Sequence, residues 1–127
     1  MTINTTSNGN LTYSNHGLGV VMIKSQPTIT TKKNGDKCWY LNGKLHRTDG
    51  PAVEFADDDK EWWLNGKLHR IDGPAFEDSN GYKAWYLNGE RHNPNGPAIE
   101  YPDNTKYWYL NGEELTEKEF IQQTQKM

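Results

Sequence analysis

A chain of 127 residues with an apolar fraction of 33% and a net charge of −3 fits a single domain. Five tryptophans and seven tyrosines point to a thin, aromatic core, since each such ring buries a large area. Acids and bases are interspersed with no Lys/Arg tract, which points away from nucleic acid and from an anionic membrane as partners. The lone Cys38 excludes an intrachain disulfide, fits a reducing compartment, and makes a cytoplasmic location the expectation.

In chain order, residues 1–15 are polar and rich in Asn, Thr and Ser, and read as a flexible N-terminal arm. The start lacks a basic stretch followed by a long apolar one, and "GVVMI" is too short for a signal peptide or a membrane span. Residues 16–36 hold two strand-like runs, "VVMIK" and "TITTK", before an Asn-Gly turn signal. Their "PTIT" aligns with the later "PAVE" and "PAFE", so the segment reads as a degenerate repeat capping an array.

The array itself is explicit. "NGKLHRTDGPA" at 42–52 returns as "NGKLHRIDGPA" at 65–75 and "NGERHNPNGPA" at 88–98, each 23 residues after the last. Three full copies span 37–59, 60–82 and 83–105, and a partial fourth spans 106–115. A fixed short period marks one supersecondary unit stacked on itself. Within a copy, "KxWYL" (or "KEWWL") reads as a strand and Asn-Gly as a type I′ hairpin turn. A short return leg follows, the Gly-Pro pair breaks the ladder, and "AVEF", "AFED" or "AIEY" forms the second strand. The glycines of these breaks (Gly50, Gly73, Gly96) are expected in backbone conformations closed to other residues. The fold class is all-β: an elongated antiparallel meander of stacked hairpins, advancing about 10 Å per copy.

The tail 116–127 changes character. Thr116 with Glu119 three residues on is a capping-box pattern and predicts a short helix cap from about Glu117 to Gln125. Phe120 and Ile121 are expected to cover the open edge of the last strand.

The pattern aromatic-x-Asn-Gly-Lys-x-His at this period resembles MORN repeats over residues 37–115. Tyr40, Trp63, Tyr86 and Tyr109 take the aromatic position, Gly43, Gly66, Gly89 and Gly112 the turn glycine, and His46, His69 and His92 the histidine. Where that family has glycines after the histidine, this chain has Arg47 and Arg70, then Asp-Gly-Pro-Ala. The variant is similar to repeat proteins common in bacteriophages and giant viruses. The resemblance implies a β-hairpin array used as scaffold or protein-binding module, and a viral accessory protein that inhibits a host defence protein in the host cytoplasm.

No catalytic residue, metal ligand or cofactor is expected. Rows of equivalent histidines about 10 Å apart cannot share one ion, whose ligands lie about 2 Å away. Arg47 with Asp49 and Arg70 with Asp72 read as structural ion pairs, because the third copy replaces both members together, by Asn93 and Asn95. Strand alternation groups Trp39, Leu41 and Val53 with their equivalents as the core face. The other face then carries Tyr40, Trp63, Tyr86 and Tyr109 beside Glu54, Glu77 and Glu100. With Arg47 and Arg70, these form the candidate partner-binding surface, since aromatics and arginines dominate interface hot spots. Two alternatives stand beside this one: a nucleotide or glycan binder stacking on the aromatic row with Arg47 or Arg70 on a phosphate, and a homodimer joined through the open first strand of the sheet.

Overall fold

A computed structural model describes residues 11–15 and 20–125 of the chain, with side chains from residue 25 onward. A ten-stranded antiparallel sheet runs in sequence order from Thr28–Thr31 at one end to Glu113–Leu115 at the other, without crossover and without closing into a barrel. Each copy adds two strands, for example Lys60–Glu61 and Phe76–Glu77, then Lys83–Ala84 and Ile99–Glu100. Two of the Asn-Gly hairpins, Trp63–Leu64 with Lys67–Leu68 and Tyr86–Leu87 with Glu90–Arg91, are two-stranded sheets of their own, whereas those at Asn42 and Asn111 stay joined to the main sheet.

The hairpins are fixed by their turns. Asn42, Asn65, Asn88 and Asn111 have φ of 50–58°, and the glycines after them 76–83°, the paired left-handed values of a type I′ turn. A second left-handed residue recurs in the tight turn between the main strands, at Gly35, Asp58, Gly81 and Asn104. The expected strained glycines are a correction: Gly50, Gly73 and Gly96 do not have positive φ. Their reason is space, as shown below.

Successive hairpins are bonded into a second rail. Arg47 N–H donates to Trp63 O and Gly66 N–H to Leu45 O; Arg70 to Tyr86 and Gly89 to Leu68 repeat the pattern, as do Asn93 to Tyr109 and Gly112 to Arg91. The array is therefore tied twice per copy, once through the main strands and once through the hairpins.

Register assigns the faces, because directly paired residues share a side of the sheet. Cys38 pairs with Val53, Val53 with Glu61, Glu61 with Phe76, Phe76 with Ala84, Ala84 with Ile99 and Ile99 with Tyr107. The opposite side carries an unbroken ladder of alternating charge: Lys37, Glu54, Lys60, Glu77, Lys83, Glu100, Lys106. Alternation along Lys37–Leu41 then puts Tyr40 on the Val53 side and Trp39 with the charges. This overturns the expected grouping of Trp39 and Leu41 with Val53. Parity cannot be counted through the irregular return leg 46–52, and one residue of offset moves a whole strand to the other face. Among the described residues, the buried apolar side chains of the main sheet include Cys38, Val53, Ala84 and Ile99 of the Val53 side, together with Ala52, Ala75 and Ala98 where the main strands begin.

At the N-terminal end, Leu11–Asn15 is a strand paired with Val20–Lys24, so this part of the expected arm is ordered into a hairpin; residues 1–10 and 16–19 lie outside the described residues. Thr28–Thr31 joins the main sheet as expected of the capping segment, but one residue out of the proline alignment. Thr30 pairs with Cys38, as Val53 does from the other side, so the 23-residue period and not Pro27 sets its register.

The predicted helix is present at Glu117–Thr124 with a complete capping box. Glu119 N–H donates to Thr116 Oγ1 at 3.1 Å, and Thr116 N–H to Glu119 Oε1 at 2.8 Å. Phe120 is buried at this end, whereas Ile121 is 41% exposed and does not cover the edge. No helix among the described residues is long and apolar enough to cross a membrane.

Acidic turns add links between copies. Ala56 N–H donates to Asp36 Oδ1 at 2.8 Å, and one period later Ser79 N–H donates to Asp59 Oδ1 at 2.8 Å. The Ala56 bond, then that from Asn34, holds the Asp36 carboxyl below the usual 3.8. A lowered pKa gives stabilisation that is complete above 3.8 and is lost as pH falls through the lower folded value. Asp49 and Asp103 are shifted the same way, by hydrogen bonds from Arg47 and from Thr105. The melting temperature is expected to drop when pH is taken from about 5 to about 2, and Asp36→Asn should flatten that drop in thermal scans; an equally steep acid limb in the variant would remove Asp36 from the account.

Candidate binding surface

The surface is built from the return legs of the copies. In the first copy, the Arg47 guanidinium lies 4.0 Å from the centre of the Trp39 ring. Its Nε donates to Asp49 at 2.9 Å, and its Nη1 to Pro51 O at 3.0 Å and Glu54 at 3.2 Å. In the second copy, Arg70 lies 3.8 Å over Trp62, bonds Asp72 at 3.0 Å and Pro74 O at 3.1 Å, and faces Glu77 at 3.6 Å. Each guanidinium is thus clamped between an indole and two carboxylates. The Asp49 and Asp72 carboxylates stay largely in water, so their pairs add little; the stacking and the proline carbonyl fix the geometry.

The clamp explains the glycines. A Cβ at Gly50 would sit 2.9 Å from Arg47 Cζ, and one at Gly73 2.8 Å from Arg70 Cζ, whereas at Gly96 the nearest atom is Asn93 Nδ2 at 3.8 Å. Gly73→Ala is therefore expected to displace the guanidinium and cost about 1 kcal/mol, with Gly96→Ala close to neutral. Parallel urea titrations check this, and equal losses at the two sites would contradict it.

The histidines serve the rail. His46, His69 and His92 Nδ1 accept the backbone N–H of Asn65, Asn88 and Asn111 at 3.0, 2.9 and 2.8 Å, each bond reaching 19 residues on, into the turn of the next copy. The partial fourth copy carries Leu115 at this position, and Leu115 is buried against the helix end. No group of three His, Cys, Asp or Glu among the described residues is placed to hold a metal ion.

The nine expected binding residues divide into two sets. Glu54 and Glu77, clamped by Arg47 and Arg70, stand with Glu100 on the charged side. Tyr40, Trp63, Tyr86 and Tyr109 are half-buried, and the first of them lies on the Val53 side. Trp63 Nε1 donates to Glu61 at 2.9 Å, while Arg91 donates to the Tyr86 hydroxyl at 3.2 Å and the Tyr109 hydroxyl at 3.3 Å. These bonds, that to Tyr86 first, raise the Arg91 pKa. The tyrosine row is not set beside Glu54, Glu77 and Glu100, as alternation had suggested.

What sequence reasoning missed lies between the return legs. An open groove of about 500 Å³ separates the loops of the first two copies, floored by Trp62 and Leu64. Its equivalent one copy on, about 530 Å³, is floored by Trp85 and Leu87. Ile71 lines both grooves and is 86% exposed. The signal was present as the one apolar residue in the "HRxDG" loops, where the first copy has Thr48.

No family model, curated protein or solved structure matches the chain.

Proposed function

We propose that the chain is a non-enzymatic β-repeat module that binds another protein through the face formed by the return legs. The observation that carries this reading is Ile71. It is a large apolar side chain left almost wholly in water, standing as a ridge between two open, tryptophan-floored grooves. An apolar anchor flanked by concave sites is the anatomy of an interface core.

The chemistry of the repeated motif supports the same reading. Its histidine bonds the turn of the next copy, and its arginine and aspartate bond within their own loop, so each has a structural role without a reaction. The same bonds weigh against a phosphate ligand, because Arg47 and Arg70 already face two carboxylates each. The resemblance to phage and giant-virus repeat proteins supports the narrower form: an accessory protein that occludes a host defence protein.

Affinity capture from the cells in which the chain is made tests this. A stoichiometric protein partner is expected with the native chain and with the triple variant Tyr40→Ala, Trp63→Ala, Tyr86→Ala if it folds, and is expected to be lost with Ile71→Asp. Capture that survives Ile71→Asp would move the interface elsewhere, and no stoichiometric partner would sink the proposal.

A further inference from the structure

Copies one and two show how this fold holds a guanidinium, and copy three keeps the receptors without it. Trp85 stands one period after Trp62, Glu100 after Glu77, and Gly96 after Gly73. Asn93 replaces the arginine and takes over one of its tasks: its Nδ2 donates to Pro97 O at 2.9 Å, as Arg70 Nη1 does to Pro74 O at 3.1 Å. The other tasks are vacant among the described residues. Trp85 has no cation over its ring, and Glu100 has no ion pair, its register neighbours being Lys83 and Lys106. The space above the glycine, filled by a guanidinium at 2.9 and 2.8 Å in the first two copies, has only Asn93 Nδ2 at 3.8 Å in the third.

This space adjoins the groove floored by Trp85 and Leu87, beside Ile71. The exposed carboxylate of Asp72 is on the groove's rim, and Arg70, the cation lining the groove, is already held by Asp72 and Glu77. We propose that copy three is an arginine-recognition site: a guanidinium from the partner protein stacks on Trp85 and pairs with Glu100, completing in trans the arrangement that Arg47 and Arg70 make in cis. This rests on the protein-binding reading and names the residue type the partner brings. A planar guanidinium fits and a lysine ammonium does not, because the internal template uses stacking and a forked donor together. The fold of copy three does not need the arginine, since Asn93 satisfies the proline carbonyl that would otherwise be orphaned.

The test titrates the full chain with the peptide acetyl-Gly-Arg-Gly-amide and with its citrulline counterpart, following the indole N–H resonances of the five tryptophans. A saturable shift is expected at Trp85 and not at Trp39 or Trp62, with the citrulline peptide weaker by about tenfold. The double variant Asn93→Arg, Asn95→Asp fills the site from within and should abolish the shift; Glu100→Gln should weaken it without removing the ring. A uniform shift at all tryptophans, no shift at Trp85, equal response to citrulline, or undiminished binding by the filled variant overturns the proposal. Loss of capture in Ile71→Asp with no peptide binding would fail this site alone, and peptide binding without any captured protein would fail the wider reading alone.

Discussion

Truncating Trp62 to alanine is expected to lower the unfolding free energy by about 3 kcal/mol, one of the two largest losses anticipated from a local change. The indole is half-buried, and it is the platform on which Arg70 rests, 3.8 Å from ring centre to guanidinium. Removing it empties the floor of a groove and also leaves Arg70 facing Asp72 and Glu77 with one side of its clamp gone. Trp85 carries no such cation among the described residues, so Trp85→Ala should cost less by roughly 1 kcal/mol. A double-mutant cycle with Arg70→Met separates the two contributions: coupling is expected for Trp62 with Arg70 and none for Trp85 with Arg70. Equal losses for the two tryptophans, with no coupling in either cycle, would mean that the stacking contributes nothing.

The second large effect belongs to the turns. Replacing Asn65 and Gly66 together by alanine is expected to cost about 2–3 kcal/mol, since alanine is disfavoured in the left-handed region by roughly 1–2 kcal/mol, whereas glycine adopts it freely and asparagine more readily than other residues. Their φ values are 51° and 79°. The damage extends past the hairpin, because Asn65 N–H donates to His46 Nδ1 and Gly66 N–H to Leu45 O, both in the preceding copy. Hydrogen exchange should therefore accelerate at Arg47, whose amide donates to Trp63 O across the same seam, as well as within the turn itself. Exchange confined to residues 63–68 would show that the hairpins are independent and the second rail is not cooperative.

The same two regions show what a reader of the bare sequence can and cannot obtain. Asn-Gly turns and the Thr116/Glu119 capping box are local: each depends on residues a few positions apart, and both are in the structure as expected. The period gave the meander, since a repeated unit has to stack on itself. The faces were not legible. Whether Val53 sits with Cys38 or with Trp39 depends on cross-strand register, and the irregular loop before Val53 erases the parity that alternation needs. Gly50 was misread for a related reason. Beside a proline it looks like a backbone requirement, but the demand comes from the Arg47 guanidinium lying over it. Leu11–Asn15 looked like a loose arm because its composition is polar, and only its pairing with Val20–Lys24 makes it a strand. The histidines recur visibly, yet their partners lie 19 residues downstream and come within reach only once copies are stacked.

That stacking is the claim on which the fold, the binding face and the vacant arginine site all depend. It is tested most directly by through-hydrogen-bond nitrogen–nitrogen couplings in the labelled protein. The account predicts three of them, from Asn65, Asn88 and Asn111 amides to the Nδ1 of His46, His69 and His92. Imidazoles coupled within their own copy, or drawn together on one added ion, would contradict it.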